Sequence, residues 1–110
     1  MQKCDLLYLN LSFIEQHYSE DISIEDISSS CGLNRSYFSK VFRDTMGESP
    51  QGFLLHYRMA RAAQLLTESH LPISTISIMV SYPNQLHFSR AFKNVYGISP
   101  RDYRAKHLAL

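Results

Sequence analysis

The sequence has 110 residues, of which 45% are apolar, and a formal net charge of +1. A chain of this length can bury one hydrophobic core without disulfides, so we predict a single domain over residues 1–110 with no room for a separate sensor. It contains neither the roughly 18 consecutive apolar residues of a membrane helix nor a secretory signal, so we expect a cytoplasmic protein with no membrane partner.

The small net charge hides a division along the chain. Residues 1–34 carry a charge of −5, whereas residues 35–110 carry +6. Such asymmetry is typical of a surface that binds a polyanion, although small domains also segregate charge by chance. Charge alone therefore leaves the function undecided.

Apolar residues recur at intervals of three and four rather than alternating, which predicts an all-α fold with short turns. The first helix has Leu7, Leu11, Ile14 and Tyr18 on one face and is predicted to be a packing helix. In chain order, the predicted helices cover residues 5–18, 24–30, 35–46, 50–67, 73–80 and 85–96, and a seventh begins at Pro100.

An internal repeat organises the chain. Residues 38–43 read FSKVFR, and residues 88–93, fifty positions later, read FSRAFK. The Gly-x-Ser-Pro segment at residues 47–50 returns at 97–100 with the same offset. In both copies the Gly is predicted to end one helix at positive φ, after which Ser and Pro begin the next helix.

The repeat extends upstream with a small shift. Ile24 and Ile27 match Ile73 and Ile76 at an offset of forty-nine, so the second copy has one extra residue in the turn between its helices. Each copy is therefore predicted to be a short helix, a turn and a longer helix.

The helix between the copies is apolar on nearly all sides, which predicts burial by two partners. It divides the chain into a first helix-turn-helix subdomain at residues 6–49, a linker helix at 50–67 and a second subdomain at 68–110. At 1.5 Å per residue the linker is roughly 26 Å long. Its apolar residues are Phe53, Leu54, Leu55, Tyr57, Met59, Ala60, Ala62, Ala63, Leu65 and Leu66.

The longer helix of each copy has an apolar face and, opposite it, a polar and basic one. The apolar faces contain Phe38, Val41 and Phe42, and then Phe88, Ala91 and Phe92. The polar arcs contain Ser36, Ser39, Lys40 and Arg43, and then Leu86, Ser89, Arg90 and Lys93. Arg and Lys can donate to guanine, and no acid interrupts either arc, so we predict two DNA-reading helices. A solvated helix face is the ordinary alternative, but duplication in matching phase argues against it.

Several motifs resemble the DNA-binding domain of the AraC/XylS transcription regulators. They are YFSKVF at residues 37–42, RMxxAxxLL at 58–66, HFSRAFK at 87–93 and YGISPxxYR at 96–104, and the likeness covers about residues 6–106. The resemblance implies seven helices in two helix-turn-helix subdomains, double-stranded DNA as the partner, and a role as the reading domain of an activator that works with RNA polymerase. It also implies that the chain is a fragment, with a sensor or receiver domain elsewhere in the full-length protein.

The resemblance also assigns roles to individual residues. Base contacts would come from Arg35, Ser36, Ser39 and Lys40 in the first copy, and from Asn84, Gln85, Leu86, His87 and Arg90 in the second. Arg43, Lys93 and Asn94 would contact phosphates. The chain departs from the family at Ser81, Tyr82 and Pro83, since the family usually has Gly-Phe in this turn. A non-glycine residue held at positive φ costs on the order of 1 kcal/mol, so this turn is expected to be strained or differently shaped.

Enzymatic chemistry is not expected. Cys4 and Cys31 lack metal-ligand spacing and are predicted to be reduced thiols, with Cys31 buried. The five histidines are scattered, and no catalytic triad, phosphate loop or carboxylate pair is found, so no catalytic residue, metal or cofactor is predicted. Two alternatives remain open: a helical protein-interaction module without a DNA role, and the DNA-contacting segment of a DNA-repair methyltransferase.

Overall fold

Helix-forming segments separated by capping residues produce a chain of helices. The structure, a computed structural model, describes the backbone of residues 3–108 and the side chains of residues 10–108. Within this range it is all-α, as predicted, without a strand. The helices are α1 (Lys3–His17), α2 (Ile24–Ser30), α3 (Arg35–Met46), α4 (Pro50–Glu68), α5 (Ile73–Met79), α6 (Gln85–Tyr96) and α7 (Pro100–His107).

The predicted helix bounds agree with the structure at α2, α3, α6 and the start of α7, and they differ by one or two residues at α1, α4 and α5. The chain forms two compact units, Met1–Leu55 and His56–Leu110. Helix α4 begins in the first unit and ends in the second. Among the described residues, no helix is both long enough and apolar enough to span a membrane.

In the first unit, α1 and α2 pack against each other and against α3. Ile14, Ile27, Phe38 and Phe42 are at most 1% exposed and form the centre of this core. The ring of Phe42 meets Phe53 at the start of α4 edge-on, with ring centroids 5.5 Å apart. The phenylalanines on the apolar face of α3 are therefore core residues, as predicted.

The apolar face predicted for α1 is only partly buried. Ile14 lies in the core, but Leu11 is exposed over 37% of its surface, contrary to the prediction. The predicted contribution of Leu7 lies outside the described side chains. Leu11 therefore contributes less to the core than the periodicity of α1 predicts.

The prediction that Cys31 is buried is also wrong, since this residue is half-buried. Its thiol lies at the end of α2 and donates a hydrogen bond to Asn10 Oδ1 over 2.9 Å. Asn10, on α1, is only 2% exposed. The thiol thus supplies the partner that a buried amide requires, which no pattern along the chain indicated.

In the second unit, α6 packs against α5 and α7. Phe88 and Phe92 of α6 are 0% exposed, together with Met59 and Leu66 of α4. The guanidinium of Arg104 in α7 donates to the carbonyl oxygens of Leu66 (3.1 Å) and Ser69 (3.3 Å), at and just after the end of α4. These bonds satisfy carbonyl groups that the end of a helix leaves without an intrahelical partner.

The burial predicted for α4 holds on some of its faces. Leu54, Ala62 and Ala63 are also buried, whereas Ala60 is exposed. A methyl group at Ala60 gains little from burial, so apolar character alone overstated how much of this helix is covered.

The repeated Gly-x-Ser-Pro segments end and begin helices as predicted. Gly47 ends α3 at φ 79° and Gly97 ends α6 at φ 84°, both in the left-handed region that favours glycine. In the second copy Ser99 then caps α7, accepting a hydrogen bond from the Asp102 amide, and Pro100 occupies the first turn. The C-terminal ends of α3 and α6 are therefore defined by local sequence.

Candidate nucleic-acid interface

The N-terminus of each recognition helix, α3 or α6, is capped by an asparagine. Asn34 Oδ1 accepts from the Tyr37 amide over 2.8 Å. Asn84 Oδ1 accepts from the amides of Leu86 (2.9 Å) and His87 (3.2 Å). Because the Asn84 oxygen is engaged by the helix, only its NH₂ group has the chemistry left for the base contact predicted at this position.

The outer face of α3 carries a shallow open groove. Ser36, Ser39, Lys40 and Arg43, all predicted to contact DNA, line it together with Asp44. Ser39 is half-buried, and the others are exposed. The predicted arc of α3 contains no acid, but the groove extends beyond that arc to Asp44, whose carboxylate lies there with the two cations.

Arg35, the remaining base-contact candidate on α3, is engaged by the preceding helix. Its Nη1 lies 3.4 Å from Glu25 Oε1 of α2, and both side chains are largely exposed. A pair of this kind contributes at most about 1 kcal/mol, so DNA phosphates or base edges could compete for the guanidinium.

The corresponding face of α6 contains no carboxylate. The fifty-residue offset places Asn94 where the first copy has Asp44. Leu86 is 57% exposed, so most of this apolar side chain lies outside the core. The other predicted contacts of this copy, Asn84, Gln85, His87, Arg90, Lys93 and Asn94, are all exposed.

One exposed aromatic residue of α3 was not predicted as a DNA contact. Tyr37 is 52% exposed in the first turn of α3, beside Ser36 and Lys40 in the chain. The repeat itself contained the signal, because Tyr37 occupies the same place as His87, which was predicted as a base contact. Tyr37 therefore joins the candidate site.

Both turns that precede the recognition helices have the same hydrogen bonds. In the first, the amides of Gly32 and Leu33 donate to the carbonyls of Ser29 and Ser28. This pattern is a Schellman motif, which closes a helix around one left-handed residue. Here that residue is Gly32, at φ 70°.

In the second turn the left-handed residue is Ser81, at φ 67°. The amides of Ser81 and Tyr82 donate to the carbonyls of Ile78 and Ser77. The strain predicted for this turn is thus located at Ser81, and it costs roughly 1–2 kcal/mol relative to a right-handed conformation. The turn also contains the predicted extra residue: five residues separate α5 from α6, against four between α2 and α3.

Charge is divided between the two units. Met1–Leu55 contains four Lys or Arg and eight Asp or Glu, a net charge of −4, whereas His56–Leu110 contains seven and two, a net charge of +5. Helix α5 has no charged residue, while α2 contains Glu25 and Asp26. The second recognition helix is therefore in the more favourable electrostatic setting for a polyanion.

Each unit consists of a short helix, a Schellman turn and a longer helix, and the outer face of the longer helix is exposed, polar and basic. This arrangement defines a DNA-binding helix-turn-helix domain. The family model described as a helix-turn-helix domain matches residues 27–106 of this chain. The lactose operon transcription activator of Staphylococcus xylosus is 37% identical over 94 residues, covering 86% of this chain and 34% of the activator.

Solved structures give the same result. The C-terminal domain of AraT, a response regulator from Geobacillus stearothermophilus, matches with a TM-score of 0.91 and 31% identity, over 96% of this chain and 88% of that chain. A transcriptional regulator from Chromobacterium violaceum, described as an AraC-type DNA-binding domain-containing protein, matches with a TM-score of 0.88 and 28% identity, over 96% and 94%. The chain belongs to the AraC/XylS family of transcription regulators and corresponds to the DNA-binding domain. It spans about a third of the length of the curated relatives it matches.

Proposed function

We propose that this chain reads a specific double-stranded DNA sequence by placing α3 and α6 in successive segments of the major groove. The observation that carries the proposal is the duplicated outer face: both helices expose a basic residue at matching positions, Lys40 and Arg90, with their phenylalanines buried beneath. Ordinary solvated helix faces have no reason to repeat in phase fifty residues apart.

Within this proposal, direct base contacts come from the N-terminal halves of the two helices, and phosphate contacts come from later turns. The base-contacting residues are Arg35, Ser36, Tyr37, Ser39 and Lys40 in α3, Asn84 at the cap of α6, and Gln85, Leu86, His87 and Arg90 in α6. Arg43, Lys93 and Asn94 contact phosphates. Leu86 is suited to the methyl group of thymine, the one apolar group on the major-groove edge of a base pair.

The relatives support a proposal for the role of the full-length protein. Because the matched Staphylococcus xylosus protein is named as a transcription activator, we propose activation, with RNA polymerase as a further partner. A sensor or receiver domain is proposed in the part of a full-length regulator that this chain does not span. A domain that reads chromosomal DNA in a bacterium works in the cytoplasm, which is the location we propose.

The test begins with selection of a duplex from a random oligonucleotide pool, followed by fluorescence titrations of the 110-residue chain. We expect the selected duplex to bind more tightly than a shuffled one and both affinities to fall steeply with salt, because bound cations displace counterions from phosphates. Binding that is absent, or insensitive to salt, would favour a protein-interaction module instead.

Two variants of α6 distinguish base contacts from phosphate contacts. Arg90→Ala should weaken binding to the selected duplex by about 1–3 kcal/mol and relax preference at one base pair. Lys93→Ala should weaken binding to all duplexes alike and reduce the salt slope by about 1. Equal losses on selected and shuffled DNA for both variants would contradict the division of roles.

We also propose that the chain has no enzymatic role, since the matched relatives are transcription regulators. The methyltransferase alternative requires transfer of an alkyl group to Cys4 or Cys31. Incubation with alkylated duplex followed by intact-mass measurement should show an unchanged mass, and a gain equal to the alkyl group would overturn this part of the proposal.

A further inference from the structure

The second turn contains a contact without a counterpart in the first. The Ser77 hydroxyl donates a hydrogen bond to the backbone carbonyl of Tyr82, beyond the end of α5. The carbonyl of Ser77 accepts from the Tyr82 amide over 2.8 Å. One buried residue, 0% exposed, thus holds both backbone polar groups of Tyr82, and we call this pair of bonds the Ser77 clamp.

The repeat supplies a matched comparison. Ser28 corresponds to Ser77 in the first copy and is almost as deeply buried, at 2% exposed. Its carbonyl makes the equivalent Schellman bond to the Leu33 amide, but its hydroxyl donates to Glu25 inside the same helix, over 3.1 Å. The hydroxyl that crosses the turn is therefore specific to the second copy.

The second turn has a reason to need this extra bond. It has a serine in the left-handed conformation where the first turn has glycine, and Pro83 lengthens it by one residue. A longer turn with a disfavoured residue populates more alternative conformations unless other bonds restrict it. The Ser77 clamp supplies that restriction at Tyr82, directly after the strained residue.

The position of Tyr82 affects α6 through two neighbouring residues, Phe88 and Asn84. The Tyr82 ring packs edge-on against Phe88, with centroids 6.1 Å apart, and Phe88 is fully buried within the first turns of α6. Two residues after Tyr82, Asn84 caps the amides of Leu86 and His87. Fixing Tyr82 therefore fixes both the entry of the chain into α6 and the ring that anchors its apolar face.

We propose that Ser77 is a positioning residue for DNA reading, acting through Tyr82 to hold the N-terminal turn of α6 in the orientation that base contacts require. This inference rests on the proposed function, since it assumes that this turn meets bases. Phosphate contacts tolerate small displacements, whereas base contacts need accurate geometry, so the clamp should affect sequence preference more than general affinity.

The first experiment compares Ser77→Ala with Ser28→Ala in titrations against the selected and shuffled duplexes, at a temperature where both variants are folded. We expect Ser77→Ala to lose about fivefold in affinity for the selected duplex, the worth of one neutral hydrogen bond, and less than about twofold for the shuffled duplex. Ser28→Ala should leave the ratio of the two affinities unchanged. An unchanged ratio for Ser77→Ala, or an equal fall in the ratio for Ser28→Ala, would overturn the proposal.

A second variant tests the link to the strained turn. Glycine adopts the left-handed conformation without steric cost, so Ser81→Gly should restore most of the preference that Ser77→Ala loses. A double variant as poor at discrimination as Ser77→Ala alone would contradict the part assigned to Ser81.

Hydrogen exchange of backbone amides in the DNA-free protein tests whether Ser77 stabilises the start of α6, independently of any duplex. In Ser77→Ala the amides of Leu86 and His87 should exchange at least about threefold faster, because their capping geometry is loosened. The Tyr37 amide, capped by Asn34 in the first copy, should be unchanged. Unaltered exchange at Leu86 and His87 would refute the clamp even if DNA binding were confirmed. A wild-type chain without preference for the selected duplex would instead refute the proposed function.

Discussion

The carboxylate in the α3 groove gives a sharp test of how this domain binds DNA. Asp44 lines the groove together with Lys40 and Arg43, at the position where the second copy has an amide, Asn94. The substitution Asp44→Asn therefore makes the first reading face resemble the second in charge, and the repeat shows that an amide is compatible with this position of a recognition helix.

The size of the effect follows from Coulomb's law. A carboxylate about 8 Å from a phosphate repels it by about 0.5 kcal/mol in water, and a helix in the major groove has phosphates on both sides. Removal of the charge should therefore strengthen binding by about 0.5–1 kcal/mol, or roughly twofold to fivefold, at low salt. Since the Debye length falls to about 8 Å at physiological ionic strength, the gain should shrink as salt is added.

Fluorescence titrations at low and physiological salt, with selected and shuffled duplexes, measure this gain. The control is Glu15→Gln, which removes the same charge from an exposed position on α1. We expect the control to gain less than Asp44→Asn at either salt concentration. Equal gains for both variants would show that only net charge matters, and the absence of a gain for Asp44→Asn would place the α3 groove away from DNA.

Three further predictions concern the second unit. Phe92→Ala should lower the free energy of unfolding by about 3–5 kcal/mol in urea denaturation, because the fully buried ring packs on Phe88, Tyr96 and Tyr103. A loss below about 1 kcal/mol would contradict its core position. Arg104→Lys should lower the free energy of unfolding by about 1–3 kcal/mol in the same assay, because an ammonium group cannot reproduce the two guanidinium hydrogen bonds to the end of α4. The control Arg101→Lys, at an exposed position, should change it by less than about 0.5 kcal/mol. Burial, and secondarily the neighbouring Tyr103, raise the pKa of Tyr96, so its contribution to stability is present below the usual tyrosine pKa of about 10 and is lost as pH rises through the folded-state value. Thermal unfolding followed from pH 8.5 upward should accordingly show a shallower alkaline decline for Tyr96→Phe than for the wild type, and parallel curves would refute this role.

The outer faces of α3 and α6 illustrate how much of the candidate site could be predicted from the sequence. Projection at 100° per residue separated Phe42 and Phe92 from Lys40 and Arg90 correctly, because every helix turns by the same angle per residue. It did not include Asp44, which lies just outside the projected arc yet lines the same groove. The bond between Arg35 and Glu25 was missed for another reason: the two residues are in different helices, and their approach depends on how α2 packs on α3.

The sequence by itself determined the helices, their ends and the duplication, because helical periodicity, asparagine and serine caps and left-handed glycines act over a few neighbouring residues. The resemblance to the family also located the strained turn, because Ser81 stands where the family usually has glycine. Only the tertiary structure decided which polar groups meet: the Cys31 thiol with Asn10, the Arg104 guanidinium with the end of α4, and the Ser77 hydroxyl with the Tyr82 carbonyl. These bonds are short-ranged and directional, so they form only where packing brings a donor to within about 3 Å of an acceptor at a suitable angle, and no spacing along the chain encodes that approach.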